Sequence, residues 1–204
     1  MDIKKRIEQS LSAAVDQAAR NDSPKQLAEA VRYAVFPGGA RVRPRLCLAV
    51  ALACGDDRPE LASASAAAFE LLHCASLVHD DLPCFDDATL RRGRPSVHAA
   101  YGEPLAVLAG DGLIVLAFDT LARAGISAPE RLATLITLVA KSVGMPYGII
   151  AGQGWESEVN VPVELYHQAK TGALFTGAAM AGAISAGADP PAWRALGASL
   201  GDAY

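Results

Sequence analysis

Four aspartates and three arginines fall within fifteen residues of one another: Asp80, Asp81, Asp86, Asp87, Arg91, Arg92 and Arg94. They lie in the stretch LVHDDLPCFDDATLRRGRPSVH, residues 77–98, at the end of an apolar segment. Carboxylates packed this closely repel unless a cation lies between them. Oxygen-only ligation, with no His or Cys among the donors, favours a hard ion, Mg²⁺ above all. Such an ion takes one or two protein carboxylates and completes its shell with water and phosphate oxygens. The adjoining arginines suit phosphate, which a guanidinium grips through two parallel N–H bonds. Together the residues predict a site for a Mg²⁺-bound diphosphate.

The elements that must position these groups are helical. Alanine and leucine abound, apolar residues recur at helical spacing, and alternating β-branched runs are nearly absent. Pro and Gly punctuate the pattern and predict helices near 2–21, 24–35, 42–55, 59–81, 104–124, 129–144, 163–187 and 191–204. Ser23–Pro24 reads as a helix cap followed by the first helical residue, and Pro37-Gly38-Gly39 as a break. Segments such as ASASAAAFELLHCASLV and LAVLAGDGLIVLAF are apolar all round, which places them at the centre of a bundle. No linker or repeat interrupts the chain, so a single all-α domain over residues 1–204 is expected.

On the helix that ends near residue 81, His73 and Asp80 stand seven apart and share a face to within about 20°. Asp80 and Asp81 occupy its C-terminus, where the macrodipole disfavours a carboxylate by roughly 0.3–1 kcal/mol. Pro83 should bend or end the helix, and that bend could return Asp86 towards Asp80.

The chain has 204 residues, 51% hydrophobic and 20% charged, which suffices for a well-filled domain and argues against disorder. A net charge of -4 supplies no broad basic field, so no nucleic-acid partner is expected. Cys47, Cys54, Cys74 and Cys84 form no CxxC pair and read as small hydrophobes of a reducing compartment. The charged N-terminus MDIKKRIEQS shows no signal peptide, and no uninterrupted apolar run approaches about 20 residues, so a cytoplasmic protein without a transmembrane segment is expected.

DDLPCFD followed by LRRGRPSVH resembles the first aspartate-rich motif of the trans-isoprenyl diphosphate synthases, DDxxxxD followed by RRG-x-P. GGARVRPRL at 38–46, ELLHCASLVHDD, LAGDGLIVLAF, AGQGWESE and AKTGALF at 169–175 are similar to further family segments, in order, from about residue 25 onwards. The resemblance implies an isoprenoid-synthase bundle of helices around a central cavity, and a homodimer. It implies Mg²⁺-dependent condensation of isopentenyl diphosphate with an allylic diphosphate. Asp80 and Asp86 would be metal ligands, with Asp81 beside them. Arg91, Lys170 and Thr171 would meet the allylic diphosphate, and Lys170 would help the leaving group. Arg43, His73 and Arg92 would meet isopentenyl diphosphate, and Gln153 would lie near the cavity.

The small Ala75 and Ser76, just before the motif, stand where shorter-chain relatives carry an aromatic residue. The resemblance therefore implies geranylgeranyl diphosphate as product, with farnesyl diphosphate synthesis and a non-catalytic partner subunit as alternatives. The family's GGKR lysine is Ala40 here, and its GGQxxDLE aspartate aligns with Glu156. Arg41 and Arg45 read as structural, and Trp155, Tyr166 and His167 as packing or surface residues. The helical pattern LGASLGDAY reaches residue 204 where the family continues into a second aspartate-rich motif. The expectation is a chain interrupted there, lacking part of the bundle and impaired in activity.

Overall fold

A computed structural model describes residues 2–20, 22–36 and 39–204. The helices are α1 (Ile3–Ala18), α2 (Lys25–Val35), α3 (Val42–Ala53), α4 (Pro59–Asp80), α5 (Val97–Tyr101), α6 (Glu103–Gly125), α7 (Pro129–Val143), α8 (Ile149–Trp155), α9 (Val163–His167), α10 (Ala173–Ser185) and α11 (Arg194–Ala203). Proline at the start of α4, α6 and α7 presets φ where an N–H would go unused.

Helix α4 is the axis of the bundle. Its apolar residues run all round, and α6, α3, α10 and α1 pack against it. Leu61, Phe69, Leu71 and Leu72 are buried on different sides, and Leu113 and Leu121 of α6 meet the same core. One polar anchor crosses this interior. Buried Arg41 donates to Glu70 Oε1 at 2.8 Å and to Glu8 Oε1 at 2.9 Å, joining the start of α3 to α4 and α1. Burial disfavours its charge, but the two carboxylates outweigh that and raise its pKa. Its structural reading therefore holds.

The expected helices are present with ends shifted by a few residues, and four features differ. Ser23 does not cap α2; its hydroxyl donates back to the Ala18 carbonyl at 2.7 Å and closes the end of α1. The stretch 163–187 is not one regular α-helix, because Gln168–Gly172 winds as a π-helical turn between α9 and α10. The short helices α5 and α8 lie in stretches read as connections. Leu90–Arg91 and Arg94–Pro95 pair as a two-residue antiparallel hairpin. Its two turn residues, Arg92 and Gly93, both have positive φ (54° and 75°), as a type I′ turn requires, and glycine meets that demand without a Cβ clash. Pro37 and Gly38 of the expected break, and Asn21, lie outside the described residues.

Two helices, Pro59–Asp80 and Glu103–Gly125, are long and apolar enough to cross a membrane by length and composition, contrary to the expectation that no segment was. Isolated polar residues such as Glu70 and Asp111 break the uninterrupted run without lowering the average far. Most of the first is buried inside the protein (78% of its most apolar window), as a core helix should be; the second is 39% buried. Cys47 and Cys74 are buried as expected, Cys54 is half-buried, and Cys84 is exposed in the loop after α4.

Candidate functional site

Helix α4 ends at Asp80, and the chain folds back at once. The Asp86 N–H donates to the Asp80 carbonyl at 3.0 Å, Asp87 N–H to Leu82 O and Ala88 N–H to Asp81 O, both at 3.1 Å. These bonds satisfy the carbonyls that the helix leaves open and hold the turn around Pro83. Asp86 thereby returns over Asp80, the arrangement the proline predicted. Burial and then the Asp80 charge push the Asp86 carboxyl above its usual pKa. Asp81 points the other way and is buried, 2% exposed.

Arg91, on the first strand of the hairpin, donates through Nε to Asp81 Oδ1 at 2.9 Å, and its Nη2 lies 3.6 Å from Asp80 Oδ2. The Asp81 bond is the main reason its pKa is raised. Arg92, at the hairpin tip, lays its guanidinium where a Cβ on Gly39 would be, so glycine there leaves its room. Arg94 sits over the Tyr33 ring, 3.9 Å from its centroid, and donates to Phe36 O at 3.0 Å, which makes it part of the hairpin's attachment.

The facing wall is built by α8, α9 and the π turn. A Cβ on Gly152 would lie 2.5 Å from the backbone nitrogen of Lys170, so α8 meets the π turn in direct backbone contact. A π turn inserted in a helix is a frequent feature of functional sites, and here it carries Lys170 and Thr171. Lys170 Nζ lies 3.4 Å from Asp80 Oδ1 and hydrogen-bonds Glu156 Oε1. Glu156 also accepts from Tyr166 Oη at 2.6 Å and from Gln153 Nε2 at 2.7 Å. Partial burial alone would raise the Glu156 pKa, but the bonds from Lys170 and Tyr166 hold it below the usual value. Burial likewise opposes the Lys170 charge, and Glu156 and Asp80 raise its pKa in spite of it. Asp80, Asp86 and Glu156 each bring a carboxylate oxygen within 4.8 Å of the others.

Between the two walls opens a cavity of about 470 Å³, within the roughly 300–1,000 Å³ usual for small-molecule sites. Its polar lining includes Arg43, His73, Asp80, Lys170 and Thr171, and its apolar lining includes Leu72, Ile114, Val143 and Ile149. Ala75 and Ser76 both face it, as does Gln153. Arg43 is 6% exposed, stacks over the Phe175 ring at 4.6 Å, and its Nε has no hydrogen-bond partner. Burial lowers its pKa. Burial, and then the charges of Arg43, Arg92, Arg91 and Arg41, bring the His73 pKa down to about 3, so the ring is neutral at pH 7.

Of the residues singled out in the sequence, Asp80, Asp86, Lys170, Thr171, Arg43, His73, Ala75 and Ser76 converge on the cavity or its carboxylate edge. Arg91 and Arg92 do not line it; they flank a smaller cleft of about 60 Å³ on the other side of Asp81. Glu156 and Tyr166 were outside the expected set. Their signal was the spacing: Gln153 on α8 and Glu156 just past its end are three apart, and Tyr166 and Lys170 are four apart, spacings that bring side chains together in helical backbone.

Residues 24–204 match the polyprenyl synthetase family. The chain is 56% identical over 204 residues to the geranylgeranyl diphosphate synthase of Cereibacter sphaeroides, and 53% identical to that of Rhodobacter capsulatus. Each alignment takes in all of this chain and 71% of the relative. Among solved structures, an FPP/GFPP synthase from Zymomonas mobilis superposes with a TM-score of 0.84 at 34% identity, covering 98% of this chain and 77% of that one. The geranyltranstransferase of Thermotoga maritima gives 0.81 at 33% identity, covering 98% and 74%.

Proposed function

The chain belongs to the polyprenyl synthetase family, and from that premise we propose that it is a prenyltransferase that joins isopentenyl diphosphate to an allylic diphosphate and yields geranylgeranyl diphosphate. The observation that carries this reading is the cavity itself. Its lining brings the Arg43 and Lys170 cations and the Asp80 carboxylate together with the apolar side chains of Leu72, Ile114, Val143 and Ile149, which suits a diphosphate head and a hydrocarbon tail.

The residues present fit a hard cation. Asp80, Asp86 and Glu156 offer only oxygen donors, close enough to share one ion or an adjacent pair, and no His or Cys joins them among the described residues. Asp80 and Asp86 would hold Mg²⁺, which when bound neutralises the diphosphate and stabilises it as a leaving group. Arg91 and Lys170 add positive charge on either side of Asp80, where the leaving diphosphate gathers negative charge. Asp81 keeps the Arg91 guanidinium oriented. Thr171 offers a hydroxyl at the same edge.

Arg43, His73 and Arg92 would meet the second diphosphate. Arg43 supports this most directly, because a buried guanidinium N–H without a partner is costly until an anion arrives. His73, neutral when no anion is bound, can donate one N–H to it. The apolar walls keep water from the allylic cation while the isopentenyl double bond attacks it and a proton departs. Ala75 and Ser76 leave the cavity wall open to a long tail, which supports a C20 product. Val107, Leu108 and Val115 of α6 are exposed, 68% in the case of Val115, and support a homodimer formed through that helix.

The test is a product assay with labelled isopentenyl diphosphate and farnesyl diphosphate, with Mg²⁺ or with EDTA. It is run on the 204-residue chain beside the Cereibacter sphaeroides relative. A Mg²⁺-dependent C20 diphosphate from the chain is expected. Failure of the chain to elongate under conditions where the relative does would sink the reading.

A further inference from the structure

We propose that Tyr166 is a positioning residue: its hydroxyl holds Glu156 against the Asp80–Asp86 pair, so that the carboxylate stays in place when Lys170 turns to a diphosphate. The inference rests on the prenyl-transfer reading above and goes further, to how the third carboxylate is kept in the site.

Glu156 stands near two other carboxylates, with one of its oxygens within 4.8 Å of theirs. Left alone it would swing outwards into water, since it lies exposed at the end of α8. Three donors prevent this. Gln153 Nε2 takes Oε2 at 2.7 Å, while Lys170 Nζ and Tyr166 Oη both take Oε1, the latter at 2.6 Å. Two of the three are neutral, and the third is not permanent. Lys170 also reaches towards Asp80, 3.4 Å away, and lines the cavity where a diphosphate would lie. Its ammonium has three donors on a flexible stem and will follow the larger negative charge.

When it does, Oε1 keeps one partner, the phenol. A hydroxyl bonded to a carboxylate at this distance belongs to the strong, charge-assisted class. A phenol bears no charge, so a diphosphate does not draw it away as it draws the lysine.

Among the described residues, Tyr166 belongs to neither hydrophobic cluster of the core. Its ring stands beside that of His167 and 5.8 Å below Lys170 Nζ, at the mouth of the site. Tyr166, near the end of α9, and Lys170, in the π turn that begins two residues later, both reach Glu156 Oε1.

Mn²⁺ binding measured by electron paramagnetic resonance, with inorganic pyrophosphate present, tests this without turnover. The proteins are wild type, Tyr166→Phe, Glu156→Gln and the double variant, each checked for an unchanged melting temperature. Tyr166→Phe should weaken Mn²⁺ by roughly 10-fold, as loss of a residue that orients a metal ligand does. In the Glu156→Gln background it should add nothing, because the effect passes through that carboxylate. Full Mn²⁺ affinity in Tyr166→Phe would overturn the inference, as would an equal loss in both backgrounds. A wild-type protein that binds no Mn²⁺ with pyrophosphate would overturn the metal reading itself, and with it the inference; that outcome shows in the wild-type curve alone.

Discussion

Replacing Gly152 by alanine should damage catalysis without touching a charged group. The added Cβ would sit 2.5 Å from Lys170 N, 2.6 Å from its Cα and 2.8 Å from its Cβ. Carbon atoms rest at about 3.5–4.0 Å, so α8 and the π turn must separate by about 1 Å. None of the clashing atoms is the far end of a flexible side chain; two are backbone, and the backbone must move. Overpacking of this kind costs about 1–3 kcal/mol. For a chain of this size each kcal/mol lowers Tm by about 2–4 °C, so a fall of about 2–12 °C is expected. The displacement is carried to Lys170 and Thr171, and a misplacement of about 1 Å can cost on the order of 100-fold in rate. Steady-state kinetics with farnesyl and isopentenyl diphosphates should show the loss chiefly in kcat, with melting followed by circular dichroism. Gly154→Ala, two residues on in the same helix, meets nothing within 4 Å and should raise Tm slightly, by the helix preference for alanine over glycine of about 1 kcal/mol. If Gly152→Ala melts like wild type and turns over within about twofold of it, the backbone contact does not set the position of Lys170.

Ala75→Tyr puts a phenol into the cavity wall beside Leu72 and Ser76, and should shorten the product from C20 to C15 by chromatography of the dephosphorylated alcohols; an unchanged product would remove Ala75 from the determinants of length. Glu70→Ala leaves the buried Arg41 with Glu8 as its one carboxylate partner, and should cost about 3 kcal/mol in urea unfolding, since breaking a buried pair strands a charge. The pH dependence of stability should carry the mark of His73. Its folded pKa, about 3, lies below the unfolded value near 6.5. Between those pH values the unfolded chain binds a proton that the folded chain refuses, so stability falls as pH drops from about 6.5 to 3. His73→Gln should flatten that acid limb in melts taken across the range; an identical limb would place its origin in other groups.

The bundle was legible in the sequence because helical spacing and proline positions are local signals. α4 and α6 could be read from apolar residues running all round, and their burial follows from that composition. The fold-back of Asp86 onto Asp80 was legible for the same reason: a proline two residues after a helix-ending pair leaves few other paths for the chain. The hairpin was not, since four residues with no apolar alternation carry no strand signal. What makes it is the pair of positive φ angles at Arg92 and Gly93, of which the sequence declares one in its glycine.

The π turn escaped for a related reason. A fifth residue slipped into one turn leaves the surrounding periodicity almost intact, and its consequence lies in space, where it brings Lys170 to the end of α8. The full site is a product of that contact. Asp80 and Glu156 are 76 positions apart, and no spacing rule joins them. Gly152 does, because only a residue without a side chain lets α8 close on Lys170. A glycine seen in sequence marks permission for a close approach, but the partner that uses it is named only by the fold. In this chain the partner is the lysine, and with it come the carboxylate and the phenol that hold it.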